Sequence, residues 1–210
     1  MIYLSPISQI LLFSSLFLFL FNKIEIEKEK KLFVLYIVIA FLSEVTSAAT
    51  FIYKIRNVWL AHIYCSIEFF LFFFILLQWE NRYRKYWIAA GILAGTYVNL
   101  DYFFLTDFSK FPVIGMSLQS FFFFLFSTRM LIEITTRNFI PFYKDERFYI
   151  VAGIFIYTSL TSLMYLFFNI FDVLLPYNIV TIAGVCLNLF FTGAMLCYYR
   201  YRKILAQALI

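Results

Sequence analysis

Residues 58–79 read VWLAHIYCSIEFFLFFFILLQW, and this stretch decides the fold class. It contains no lysine or arginine, one histidine (His62) and one carboxylate, Glu68, at its centre. At ~1.5 Å per residue a helix of this length crosses the ~30 Å hydrocarbon core of a bilayer. Backbone groups in hydrocarbon must be satisfied within their own segment, so a stretch of this kind is a helix. Working outward, the same pattern recurs at residues 2–21, 32–53, 86–104, 111–134, 148–168 and 177–199. The expected architecture is all-α: one polytopic bundle of about seven transmembrane helices, a single domain over residues 1–210.

Composition agrees. Of the 210 residues 64% are hydrophobic and 14% charged, with a mean hydropathy of +0.87. A soluble domain carries roughly 25% charged residues, so this chain has too little polar surface to cover a water-soluble core. The connections are too short to hold a second domain or an enzyme. Runs such as 69–74 and 121–124, among 30 phenylalanines, read as lipid-facing surface. Tyrosine and tryptophan near span ends (Tyr53, Trp59, Trp79, Tyr86, Trp87, Tyr198, Tyr199) match interfacial belts.

The net charge of +5 is distributed unevenly. Fourteen of the 17 basic residues fall in the connections after the first, third and fifth spans and at the C-terminal end; three, Lys54, Arg56 and Lys110, fall on the other side. Cytoplasmic loops carry the excess of Lys and Arg, which places the N-terminus outside and the C-terminus in the cytoplasm. Basic residues in such loops meet anionic lipid headgroups, so no nucleic-acid partner is expected. Met1-Ile2-Tyr3-Leu4 lacks the basic leader of a secretory signal, and the first span is expected to be retained in the plasma (inner) membrane. Pro6, Pro112, Pro141 and Pro176 all sit in connections or first turns, so no span reads as broken.

An ionisable side chain at mid-bilayer is costly and therefore a functional candidate. Glu44 in the second span and Glu68 in the third lie within ~2–3 Å of the same depth on adjacent antiparallel helices, at ~1.5 Å rise per residue. No lysine or arginine stands at that depth, so each carboxyl is expected to be protonated, to share a proton, or to meet polar side chains. This pattern suits a ligand or proton site; the plainer alternative is a carboxylic acid that hydrogen-bonds helices together with Thr46, Ser47 or Tyr64. His62 lies ~9 Å up the axis from Glu68. Asn99, Gln119 and Asn188 complete the candidate set, with Asp101, Thr158 to Ser162 and Thr181 in the outer half. Gly91 and Gly95, with Ala90 and Ala94, form small-x-x-x-small patterns that let a neighbouring helix pack closely.

Several chemistries are excluded. A single histidine cannot supply bis-His haem ligation, a three-His zinc site or H-E-x-x-H. Cys65, Cys186 and Cys197 lie inside apolar spans with no C-x-x-C, which reads as small core residues. There is no G-x-S-x-G and no phosphate-cradling glycine loop, and the seventh span holds no lysine before Lys203. No catalytic residue, metal or cofactor is read from the chain.

Glu44, His62-Ile63-Tyr64, Glu68-Phe69, Gly153 and Tyr157 together carry a resemblance. The chain resembles a family of small uncharacterised bacterial seven-helix integral membrane proteins, which implies a membrane location and no settled activity. Three readings of function follow. The first is a sensor-like module that binds a small-molecule ligand or a membrane or cytoplasmic protein partner. The second is a small proton-coupled transporter using Glu44 and Glu68. The third is a structural subunit of a membrane complex.

Overall fold

A computed structural model describes residues 31–54, 57–137, 141–166 and 174–208, together with Ile10, Ser14 and Phe17. The first apolar span, 2–21, otherwise lies outside the described residues; its three described members are helical, and Ser14 Oγ donates to the Ile10 carbonyl at 2.7 Å.

The remaining spans are α1 (Lys31–Ile52), α2 (Val58–Leu77), α3 (Arg84–Leu100), α4 (Val113–Arg137), α5 (Glu146–Leu166) and α6 (Leu174–Ala208). Among the described residues six helices are long and apolar enough to cross a membrane. Just past the end of α1, Lys54 has a φ of 55°, the left-handed conformation that commonly follows the end of a helix. Pro112 precedes the first residue of α4, where a missing N–H costs nothing, and its carbonyl accepts the Met116 N–H at 3.0 Å.

Two elements depart from the sequence reading. α6 runs 35 residues, ~52 Å, so it outlasts the 177–199 span and carries Arg200 beyond the apolar stretch. Hydropathy marks only the part of a helix that matches lipid, whereas the backbone ladder continues into polar sequence. α3 does not stop at Leu100 but widens into a π-helical turn at Asp101–Leu105, closed by Thr106 N–H on the Asp101 carbonyl at 3.0 Å.

α2 is the axis of the bundle. Of its apolar stretch 61% is buried, against 22% for α1 and 28% for α3. α1, α3 and α4 pack around it. Phe72 meets Tyr157 of α5, while Phe33 and Tyr36 of α1 close the ring against Phe191 of α6. The core is aromatic: Phe69, Phe72, Phe123 and Phe126 are almost fully buried, and Trp87 stacks on Phe126 with centroids 4.1 Å apart. The phenylalanine runs are therefore not uniformly lipid-facing as expected. Phe69, Phe72 and Phe73 point inward while Phe70 and Phe74 are exposed, because at ~100° per residue members three or four apart share a side of the helix and the others turn away.

Gly91 and Gly95 lie under this aromatic stack. A Cβ built on Gly91 would come within 2.2 Å of the Phe73 ring, and one on Gly95 within 2.8 Å of Phe69. The glycines thus bring α3 against the rings of α2.

Charged side chains collect at the two poles. One pole holds Lys54, Asp107 and Lys110; the other holds Glu80, Arg82, Arg84, Lys85, Arg129, Glu133, Lys144, Asp145 and Arg147. At the second pole Arg129 pairs with Glu133 at 2.7 Å, lies 3.9 Å from the buried Glu80 and sits 5.1 Å over the Tyr83 ring.

Candidate functional site

Tyr64 and Glu68 are four residues apart on α2 and share one face, so the Tyr64 hydroxyl reaches Glu68 Oε1 at 3.2 Å. That face meets α1, whose Tyr36 hydroxyl donates to the same oxygen at 3.3 Å and lies 3.2 Å from the Tyr64 hydroxyl. From the other side Gln119 of α4 donates Nε2–H to Glu68 Oε2 at 3.1 Å. Gln119 Oε1 in turn accepts from the Tyr102 hydroxyl at 2.8 Å. Both oxygens of one carboxyl group at mid-span are therefore held by side chains from three helices, and Tyr102 adds the end of α3 through Gln119. Glu68 is only 3% exposed. In hydrocarbon such a network has no water to fall back on, so each bond restrains the helices that supply it.

No family model, curated protein or solved structure matches this chain. The geometry must carry the functional reading.

Further polar contacts lie about half a turn to two turns nearer the Asp107 pole. On another face of α2, Ser66 Oγ donates to Asn99 Oδ1, and Asn99 Nδ2 donates back to the Gly95 carbonyl at 2.7 Å. Asp101 is buried, yet both carboxylate oxygens are occupied. Oδ1 accepts from Thr106 Oγ1 at 2.9 Å, and Oδ2 accepts the Gly115 N–H at 2.8 Å. The latter bond caps the first turn of α4 from outside the helix, placing a negative charge where the helix dipole favours it. Gly115 is required there, because a Cβ would lie 2.7 Å from that oxygen and 2.6 Å from the Tyr102 ring. His62, fully buried, sets Nδ1 2.6 Å from the Tyr102 carbonyl oxygen and Nε2 2.9 Å from that of Lys110.

The structure thus joins Glu68 directly to Gln119 and links His62 to the same network through Tyr102. Asn99 belongs to the Ser66 contact. Glu44 is half-buried on α1, eight residues beyond Tyr36, and the described donors to Glu68 do not include it. Asn188 is buried on α6, and its carbonyl accepts from Thr192 Oγ1 at 2.8 Å. Among the described residues no group of His, Cys, Asp and Glu could hold a metal ion, and none of the three cysteines is in a disulfide.

Tyr36 and Tyr102 were not in the sequence-derived set. Tyrosines near span ends read as interfacial anchors, and nothing local separates an anchor from a donor to a carboxyl group two helices away. The one available signal was the i, i+4 spacing of Tyr64 and Glu68. The chemistry on offer is hydrogen-bond recognition and positioning: acceptor oxygens on Glu68, hydroxyl donors around them, and no described cation in bonding contact.

Proposed function

We propose that this chain is a seven-helix protein of the plasma (inner) membrane, akin to the small bacterial family it resembles, that acts as a sensor-like module binding a ligand or partner. The observation that supports this reading is the Glu68 hub, where four helices depend on one bonded arrangement. Such a hub suits a bistable bundle: a ligand that competes for one bond frees a whole helix and shifts the balance between two packings. Asn99, Gln119 and His62 lie on the side where a ligand from outside would arrive, if the positive-inside orientation holds.

Proton-coupled transport is the second reading, favoured by a carboxyl group at mid-bilayer. The hub weighs against it. The link from Tyr102 to Glu68 runs through the Gln119 amide, which donates and accepts hydrogen bonds but does not readily exchange a proton along the chain.

Reconstituted vesicles separate the two. The sensor reading expects no pH-gradient-driven solute uptake by the unmutated protein. It expects a ligand or partner to co-purify in mild detergent, with capture weakened by Asn99→Ala or Gln119→Ala. Gradient-driven uptake that disappears in Glu68→Gln would overturn it in favour of transport. Orientation is tested with single cysteines after replacement of the native thiols: Arg84→Cys and Lys144→Cys should be shielded from impermeant reagent in intact cells and Asp107→Cys should label. The reverse pattern would invert the topology.

A further inference from the structure

His62 presents a problem of hydrogen count. Its two ring nitrogens face two carbonyl oxygens, Tyr102 O at 2.6 Å and Lys110 O at 2.9 Å. A carbonyl oxygen only accepts, so each contact is a hydrogen bond only if that nitrogen carries hydrogen. Neutral imidazole has one N–H and one bare lone pair. In either tautomer a lone pair would be set against an oxygen at close range, with the ring fully buried and unable to turn to water. The imidazolium form satisfies both contacts.

The π-helical turn explains why Tyr102 O is available. In regular α-helical register the Thr106 N–H would serve it, but that donor goes to Asp101 O instead. Lys110 O belongs to the connection between α3 and α4. A cation at the carbonyl end of a helix is also favoured by the helix dipole.

We propose that His62 is a proton-operated clamp: charged, it ties α2 both to the end of α3 and to the 106–112 connection, and on losing its proton it releases one of them. The ionisable groups around it are Cys65 on its own helix, Asp101 and Tyr102 at the end of α3, and Asp107 and Lys110 in the connection. The first turn of α4 contributes none. Asp101 is fully engaged by Thr106 and Gly115, and Phe108 packs over the imidazole with centroids 4.9 Å apart. Tyr102 gives the clamp its reach. Its carbonyl is held by His62 while its hydroxyl holds Gln119, so a change at the ring is one residue from the Glu68 hub. That last link rests on the sensor reading above; the clamp itself does not.

The chain has a single histidine, so 15N-histidine labelling gives one imidazole to observe. In bicelles at about pH 5, below the range in which histidines usually change charge, both ring nitrogens should carry protons. A spin label at Ser109→Cys should report an ordered connection. At high pH, with the ring deprotonated at one nitrogen, the mobile fraction of the label should grow about tenfold, the factor that one charge-assisted hydrogen bond contributes. His62→Gln, with a single donating nitrogen, should show the mobile spectrum at both pH values. One bare ring nitrogen at pH 5 with an ordered connection would overturn the clamp, as would a ring that titrates without any response of the label. A working clamp in a protein that captures no ligand or partner would instead count against the sensor reading alone.

Discussion

Exchanging the acceptor and donor that meet at Glu68 tests the hub most directly. In Glu68→Gln the new amide must keep its oxygen toward Tyr36 and Tyr64, which both donate to Oε1. Its NH2 then confronts the Gln119 Nε2–H that formerly donated to Oε2 at 3.1 Å. Turning Gln119 over would cure the clash and let its NH2 donate to the Tyr102 hydroxyl oxygen, but the Tyr102 O–H would then lose the acceptor it meets at 2.8 Å. Whichever way the amides turn, one buried hydrogen of these interhelical bonds loses its acceptor. Such bonds average about 0.6 kcal/mol in bilayers, with a maximum near 1.7. With one buried donor stranded, the expected loss is about 1–2 kcal/mol. Gln119→Glu alone sets two carboxyl groups face to face and should cost a similar amount. The double variant Glu68→Gln/Gln119→Glu restores one donor opposite one acceptor and leaves an oxygen for Tyr102, so it should recover at least half of the summed loss. Glu68→Ala, which strands three donors and removes volume, should cost about 2–4 kcal/mol. The assay is reversible unfolding of purified protein in bicelles as the fraction of denaturing detergent is raised. Non-additivity beyond about 0.5 kcal/mol is significant for neighbouring residues. Purely additive single losses in the double variant would refute the bonded geometry of the hub.

Two further outcomes are expected. Gly91→Ala should destabilise by about 1–2 kcal/mol, since overpacking a tight core costs about 1–3 kcal/mol and better helix propensity returns up to about 1. Phe73→Leu should largely relieve it and Gly184→Ala, whose Cβ meets nothing within 4 Å, should be neutral or mildly stabilising; equal effects at both glycines in the same unfolding assay would contradict the packing. In the 106–112 connection the Ser109 backbone N–H, at 2.9 Å from Oδ1, holds the Asp107 carboxyl below the usual carboxylate range, with the Ser109 side chain and then Lys110 assisting. A lowered value means the contribution to local order is present above the ordinary Asp range near 4 and is lost as pH falls through the lower folded value. A 13C titration of the Asp107 carboxyl with a midpoint at or above about 4 would contradict that geometry.

Residues 58–79 and the apolar stretches like them determined the all-helical class, with helices long and apolar enough to cross a membrane, from sequence alone, because hydropathy is local and adds along the chain without reference to neighbours. The same locality exposed Glu68 and Gln119 as polar groups in apolar surroundings. What the sequence could not decide is which way each helix faces. In a soluble protein the period of polar residues marks the outer side, but here core and lipid are equally apolar. Phe69 and Phe70 therefore look alike in sequence, although one is buried and the other exposed. For the same reason nothing in the sequence singled out Tyr36 and Tyr102, whose hydroxyls packing brings to Glu68 and Gln119. The π-helical turn at Asp101–Leu105 was equally hidden. Its register is set by what α2 and α4 offer in return: an imidazole for the Tyr102 carbonyl, and a helix N-terminus for the Asp101 carboxylate. Only the tertiary structure brings those partners together, because their bonds span 14 to 51 residues of chain and local sequence has no term for them.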